Sequence, residues 1–262
     1  MRALGRALRV DLRRSVCAPL FFFTVLLLFS WLVFNSGKYL NSEMYRRTNC
    51  MAEILNYTLT GTLTLAELVL AIAAVTYGWS YSRDRACGFF SQAVARVGTP
   101  AYSVARAVSV ALSAFLAGVV ALGLYLLFLT TLHLPGPNPN GLGNRVAYLE
   151  LVSEGRSGLY FMIRILIVGL TCSFAAEFGL MVTAFCPNAY MALLSPVLLY
   201  YFQEVLGLLI HMPPKWFLVR VMFGQTHEDP IQSFWWAASY LVLGTVLFGV
   251  AFCRRIRKEQ ES

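Results

Sequence analysis

Residues 102–132 read YSVARAVSVALSAFLAGVVALGLYLLFLTTL, an apolar run in which Arg106 is the only charged residue. An α-helix rises about 1.5 Å per residue, so this run is longer than a hydrocarbon core of about 30 Å requires. We therefore expect a membrane-spanning helix here that is tilted or projects beyond the bilayer.

Further apolar runs follow the same pattern. They lie at 18–34, 59–81, 159–186, 189–211 and 233–253. Each is long enough for a helix to cross the bilayer, and none alternates as a barrel strand does. Of the 262 residues, 58% are hydrophobic and only 13% are charged, whereas a soluble domain carries about 25% charged residues. The sequence predicts an all-α polytopic membrane protein with six transmembrane helices in a single domain, residues 1–262.

The basic residues predict the orientation. With the amino terminus inside, the inner segments carry thirteen of the 21 Lys and Arg residues. Cytoplasmic loops are enriched in these residues, so both termini are expected in the cytoplasm.

Residues 1–16 form a separate basic segment. Arg2, Arg6, Arg9 and Arg13 recur at helical spacing, with leucines on another face. This pattern predicts an amphipathic elbow helix on the anionic inner leaflet, and the alternative is a charge cluster that only sets the topology.

The outer segment 212–232 begins with Pro213-Pro214 and continues as an amphipathic stretch through Phe223. We expect a re-entrant or interfacial segment before the last transmembrane helix.

No catalytic motif is complete. Gly37-Lys38 resembles the end of a Walker A motif, but position 32 is Leu instead of Gly, so ATP hydrolysis by this chain is not expected. A serine nucleophile needs a nearby general base, and the span 233–253 contains no His to serve as one. The adjacent side chains of His227-Glu228-Asp229 diverge too far to hold one metal ion. The sequence predicts no catalytic residue, no metal site and no enzyme. Nucleic acid is not an expected partner, because the basic residues flank the apolar runs instead of following one surface.

Besides Arg106, four charged residues fall within the apolar runs: Glu67, Arg164, Glu177 and Glu204. A charge at the bilayer centre costs at least about 2.5 kcal/mol, so such groups usually face a bundle interior, a partner or a cavity. Arg164 and Glu204 are predicted near the outer ends of adjacent helices, which allows an ion pair. Two interpretations remain open: a substrate pathway, or structural charges satisfied within the protein or by a partner.

The loop 82–101 carries the most specific signal. It reads SRDRACGFFSQAVARVGTPA and is followed by Arg106. This loop resembles the cytoplasmic loop of ABC type-2 exporter permeases. In that family an acidic residue precedes a glycine, a short amphipathic helix and a Gly or Pro turn follow, and a basic residue opens the third span. Asp84, Gly88, the turn from Gly98 to Pro100 and Arg106 match these features, whereas Phe89 stands where the family often has Thr.

The resemblance implies that residues 84–100 form a coupling helix that docks onto a separate ATP-binding subunit, with the turn 186–189 as a smaller second contact. The residues expected at this contact are Arg83, Asp84, Arg85, Gly88, Phe89, Phe90, Arg96, Gly98 and Pro100. Phe89, Phe90, Val94 and Val97 would supply an apolar face with a charged rim, which is common interface anatomy. The alternative is an amphipathic loop that rests on lipid headgroups.

The resemblance further implies a function. Two permease chains, identical or paired with a paralogue, would export a peptide, antibiotic or lipid-like substrate across the cell membrane, in a bacterium the inner membrane. ATP and Mg²⁺ would bind the partner ATPase, and this chain would hold no cofactor. The alternatives are a non-transporting scaffold or sensor subunit, a secondary transporter and an intramembrane enzyme.

Overall fold

The computed structural model describes residues 2–42, 50–60, 63–134 and 148–261, and within these ranges every long regular element is a helix. The α-helices are α1 (Arg2–Val16), α2 (Pro19–Leu40), α3 (Met51–Thr60), α4 (Leu63–Val75), α5 (Ser80–Ala86), α6 (Phe89–Val97), α7 (Thr99–Thr131), α8 (Leu149–Ser153), α9 (Ser157–Phe185), α10 (Ala189–Leu209), α11 (Leu218–Phe223) and α12 (Pro230–Glu261). The prediction of an all-α chain is therefore confirmed for the described residues.

Among these residues, five helices are long and apolar enough to cross a membrane: α2, α7, α9, α10 and α12. They are consistent with a multi-pass membrane protein. The predicted run 59–81 differs, because it is divided between the end of α3, the 13-residue α4 and the start of α5.

A tight turn separates α4 from α5 at Gly78. A Cβ atom on this glycine would lie 2.9 Å from the Ala74 carbonyl oxygen and 3.2 Å from that of Ala176 in α9. Only glycine lets the turn approach the α9 backbone this closely.

The central element is α9, the most buried of the five long helices, which packs against α7, α12, α10 and α4. Its contact with α7 is built on small residues. A Cβ atom on Gly118 of α7 would lie 2.8 Å from the Cys172 sulfur, and one on Gly169 of α9 would lie 2.9 Å from the Phe115 ring. Small residues at such crossings let helices that share an apolar environment pack closely.

Helix α1 and the last turns of α12 lie at one end of the bundle. Helix α1 packs along the start of α7, and the Tyr81 ring of α5 meets the Phe252 ring near the end of α12 at 5.4 Å. We call this the amino-terminal end, formed by α1, α5, α6, the start of α7 and the last turns of α12. The opposite end is formed by α3, α8 and α11.

The predicted re-entrant segment 212–232 folds back onto this opposite end. It contains a short 3₁₀ helix at Pro214–Trp216 and then α11. Leu218 and Val221 are buried, and the Trp236 indole donates to the Lys215 carbonyl oxygen at 3.1 Å. The segment is therefore packed into the bundle.

Candidate functional site

A buried arginine organises the amino-terminal end. Arg106 lies two turns into α7, and its side chain is 1% exposed. Helix α7 begins at Thr99 with Pro100 in its first turn, a position where proline is well tolerated. Tyr102 and Arg106 are four residues apart on this helix and therefore lie on the same face.

The partners of Arg106 come from three other segments. Its Nη2 donates to Oδ2 of Asp84 in α5, and its Nη1 donates to the Tyr77 hydroxyl at 2.5 Å. Its Nε lies 3.3 Å from Oδ2 of Asp11 in α1. The Tyr102 hydroxyl also donates to Oδ2 of Asp84, at 3.1 Å. We call Asp11, Tyr77, Asp84, Tyr102 and Arg106 the arginine network.

Burial dominates the electrostatics of this network. Burial raises the pKa of Asp11, and the nearby Arg106 guanidinium opposes the rise. Burying charged groups is costly unless they are paired and hydrogen-bonded, so the carboxylates and the guanidinium depend on one another. The network therefore ties α1, α5 and α7 into one unit.

Helix α6 is attached to this unit between two glycines with positive φ. Gly88 (φ 69°) precedes the helix, and Gly98 (φ 81°, ψ 151°) follows it. Residues that carry a Cβ atom rarely adopt these backbone conformations, so both positions favour glycine. The two glycines thereby set the direction of the short helix.

The apolar face of α6 packs against its own chain. The Phe90 ring meets the rings of Tyr81 and Tyr102 at 5.5 and 5.4 Å, and the Arg14 guanidinium lies 4.4 Å from the Phe89 ring centre. The exposed side of the helix carries Ser91, Gln92, Ala95 and Arg96.

These positions show how accessible each residue of the predicted contact surface is. Asp84 is 3% exposed and belongs to the arginine network, so it is not a surface residue. Phe89 and Phe90 are half-buried against their own chain because the tyrosines and Arg14 cover them. Of the predicted contact residues, those that remain exposed are Arg83, Arg85, Gly88, Arg96, Gly98 and Pro100.

Two of these arginines have intramolecular contacts. Arg85 forms an ion pair with Glu259 near the end of α12. The Arg83 guanidinium lies 5.7 Å from the Trp79 ring centre. The turn after α9, at Cys186, Pro187 and Asn188, is exposed at this end.

The ion pair that the sequence allows between Arg164 and Glu204 is absent from the described residues. Arg164 is buried and donates to the Asn56 side-chain oxygen at 2.7 Å and to the Phe223 carbonyl oxygen at 2.8 Å. The first acceptor lies on α3 and the second at the end of α11. Arg164 therefore joins α9 to α3 and α11.

The other three charges lie apart from Arg164 and do not form one site with it. Glu177 is 1% exposed, and neither carboxylate oxygen has a hydrogen-bond partner among the described residues. A Cβ atom on Gly249 of α12 would lie 3.3 Å from this carboxylate. Glu67 of α4 accepts a hydrogen bond from Tyr201 of α10, and one Glu204 oxygen is buried without a partner among the described residues.

Sequence reasoning missed Asp11, Tyr77 and Tyr102. Asp11 is the only acidic residue among the arginines of α1, and this exception was the available signal. The two tyrosines lie in apolar runs rich in aromatic residues, where nothing in the sequence singles them out.

No family model matches the chain, and the searches of curated proteins and of solved structures give no match. Within the described residues no group of three or more His, Cys, Asp or Glu side chains is arranged to hold a metal ion.

Proposed function

We propose that this chain is the membrane-spanning permease subunit of an ATP-binding-cassette exporter of the type-2 class. It would move a peptide, antibiotic or lipid-like substrate outward across the cell membrane, in a bacterium the inner membrane. ATP and Mg²⁺ would bind a separate ATPase subunit, and this chain would not be an enzyme.

The observation that carries the proposal is the attachment of α6. A short amphipathic helix lies between Gly88 and Gly98, with the Asp84–Arg106 ion pair buried behind it. Its polar side, with Gln92 and Arg96, faces outward. An ATPase that moved this helix would displace α5 and α7 together, because the arginine network ties them to each other.

The contacts of α3 and α4 support a sixth crossing. The Thr58 hydroxyl of α3 lies 3.0 Å from the Tyr125 hydroxyl of α7, and Tyr77, just after α4, contacts Arg106 of α7. Arg106 and Tyr125 are 19 residues apart on one helix, which is about 28 Å along its axis. Thr58 and Tyr77 thus lie nearly the full hydrocarbon thickness apart along α7, so α3 and α4 together would supply a sixth crossing.

Six crossings place both termini on one side, in agreement with the shared amino-terminal end of the bundle. The excess of Lys and Arg assigns that end to the cytoplasm. Helix α1 would then be the elbow helix, with Arg9 and Arg13 exposed toward the inner leaflet.

A second permease chain is supported by the outer face of α10. The face exposes Leu198, Phe202 and Val205 and also carries the hydrogen bond from Tyr201 to Glu67. Ionisable side chains such as Glu67 are energetically unfavourable when they face lipid. A second copy of the chain or a paralogue that covered this face would reduce that unfavourable free energy.

Photo-crosslinking from the exposed side of α6 tests the ATPase contact. A benzoylphenylalanine at Gln92 in the full chain should crosslink, in native membranes, to a polypeptide that contains a Walker A motif. The same probe at Val120, on the exposed face of α7, is the control and should not. The purified complex should hydrolyse ATP, and the chain alone should not.

Other outcomes separate the alternatives. A crosslink from Gln92 to a protein that lacks a Walker A motif, or no crosslink from Gln92 at all, would contradict the ATPase contact. A scaffold or sensor subunit would give the adduct, but vesicles containing the complex would not move any substrate in response to ATP.

A further inference from the structure

A groove lies between α1 and α6 at the amino-terminal end, with α7 as its floor. Its cavity volume is about 210 Å³, and most of its lining is apolar. The residues that matter for its chemistry are Arg6, Val10, Arg14, Ala93, Arg96 and Val97.

The apolar part of the groove is open. Val10 is 58% exposed at its mouth, and Ala93 and Val97 are only half-buried along α6. An exposed apolar patch of this kind beside a basic helix favours contact with an acyl chain.

The charge at the rim is positive. Three arginines line the groove, and its one acidic residue, Asp11, faces the buried Arg106 at 3.3 Å. Arg14 also stacks on Phe89, which holds its guanidinium beside the groove. Guanidinium groups suit phosphate oxygens because their planar donors match the geometry of the anion.

We propose that this groove binds one anionic phospholipid, with the phosphate held by Arg14 and Arg96 and an acyl chain lying over Val10, Ala93 and Val97. The inference rests on the membrane location in the proposed function but not on the ATPase contact. The lipid would fix the angle between α1 and α6, and so the position of the proposed coupling helix.

Native mass spectrometry of the delipidated full chain tests the proposal. Phosphatidylglycerol should be retained more strongly than phosphatidylcholine with the same acyl chains. Arg14→Gln with Arg96→Gln should weaken phosphatidylglycerol binding about thirtyfold, at about 1 kcal/mol for each arginine. Arg254→Gln with Lys258→Gln removes the same charge from exposed positions of α12 at the same end, and it should change binding less than about threefold.

The apolar half of the site has its own test. Ala93→Leu narrows the groove and should weaken phosphatidylglycerol binding, whereas Ala95→Leu on the exposed side of α6 should not. Each variant is compared with the parent chain by its melting midpoint in detergent, so that loss of folding is recognised.

The proposal would be overturned if the chain retained the two lipids equally, or if the two double variants lost phosphatidylglycerol binding to the same extent. It would also be overturned if Ala93→Leu did not change phosphatidylglycerol binding. Displacement of the lipid by millimolar inorganic phosphate would indicate an anion site without an acyl chain and would also overturn it. These measurements use the isolated chain, so their failure is distinct from failure of the ATPase contact.

Discussion

The guanidinium of Arg106 donates to the carboxylate of Asp84, 22 residues earlier in the chain, and the two side chains are only 1% and 4% exposed. The two residues bracket α6 in sequence. The ion pair therefore closes a loop whose only helix, apart from the ends of α5 and α7, is the proposed coupling helix. The position of α6 depends on an interaction that no partner can reach from outside.

Breaking this ion pair should strongly destabilise the protein. Asp84→Ala leaves the Arg106 guanidinium buried with one fewer acceptor, and the free energy of unfolding should fall by about 3–5 kcal/mol. Denaturant titration in mixed micelles measures the change. The matched control is Arg85→Ala, which breaks the partly exposed pair with Glu259 and should cost about 1 kcal/mol or less. Equal losses in the two variants would contradict the role of burial.

The two glycines that flank α6 should differ in their tolerance of asparagine. Gly88 has φ 69° and ψ 3°, a left-handed conformation that asparagine accepts, and no atom lies within 4 Å of a Cβ placed there. Gly88→Asn should therefore cost less than Gly88→Ala, which we expect to cost about 1–2 kcal/mol. Gly98 has ψ 151°, a region that is essentially limited to glycine, so both substitutions there should cost about 1–3 kcal/mol. Melting midpoints of the four variants check this, and a Gly98→Asn variant as stable as the parent would contradict it.

The contact between α7 and α9 should depend on one glycine of α7 and not on its neighbour. Gly118→Leu places a side chain against Cys172 and Gly169, and overpacking should cost about 1–3 kcal/mol or more. Gly123 lies on the same helix, and no atom lies within 4 Å of a Cβ placed there. Gly123→Leu should therefore leave the free energy of unfolding unchanged or raise it by up to about 1 kcal/mol. Unfolding in mixed micelles compares the two variants. If they were equally destabilised, close packing at Gly118 would not explain the loss.

Much of the architecture was predictable from the sequence because long apolar runs allow only one kind of structure in a bilayer. The runs around α2, α7, α9, α10 and α12 were predicted from hydropathy alone. The break between α4 and α5 at Gly78 was not predicted. The close approach of Gly78 to the α9 backbone is a long-range contact, and such a contact leaves no local pattern in the sequence.

The candidate site was only partly predictable, for a related reason. The acidic residue, the glycines and Arg106 were identified from their spacing in the loop. Spacing does not reveal which side of a helix its own chain covers, so the packing of Phe90 against Tyr81 and Tyr102 was not predicted. The tyrosines around Arg106 and the acceptors of Arg164 became apparent only when distant segments were brought together.

Arg164 should be difficult to replace, even by lysine. Its two donor nitrogens bond acceptors on α3 and α11, and a lysine amine lacks the planar geometry to reach both. Arg164→Met should lower the free energy of unfolding by about 2–3 kcal/mol, and Arg164→Lys should lower it by a large part of that amount. Arg156→Met is the control, because Arg156 is exposed and lies 3.7 Å from Glu154, so its loss should cost less than about 0.5 kcal/mol. Full stability of Arg164→Lys in a micelle unfolding titration would show that the paired geometry is unimportant.

Glu177 is the residue at which stability and function should diverge. Both of its carboxylate oxygens are buried without a hydrogen-bond partner among the described residues, so the side chain carries a desolvation cost that its packing does not offset. Replacing it by an apolar side chain of similar length removes that cost, and Glu177→Met should raise the free energy of unfolding by about 1–3 kcal/mol. The control is Glu259→Met, whose carboxylate pairs with Arg85, and this change should leave stability unchanged or lower it by up to about 1 kcal/mol.

A destabilised Glu177→Met variant would mean that the carboxylate gains a partner in the membrane, such as water or a second chain. Natural proteins retain costly groups chiefly where function needs them. If the chain is the proposed exporter subunit, the stabilised variant is expected to lose ATP-dependent transport in vesicles that contain the complex. Stabilisation with full transport would instead place Glu177 outside the proposed substrate pathway, and Glu67 of α4 and Glu204 of α10 would be the next candidates to test.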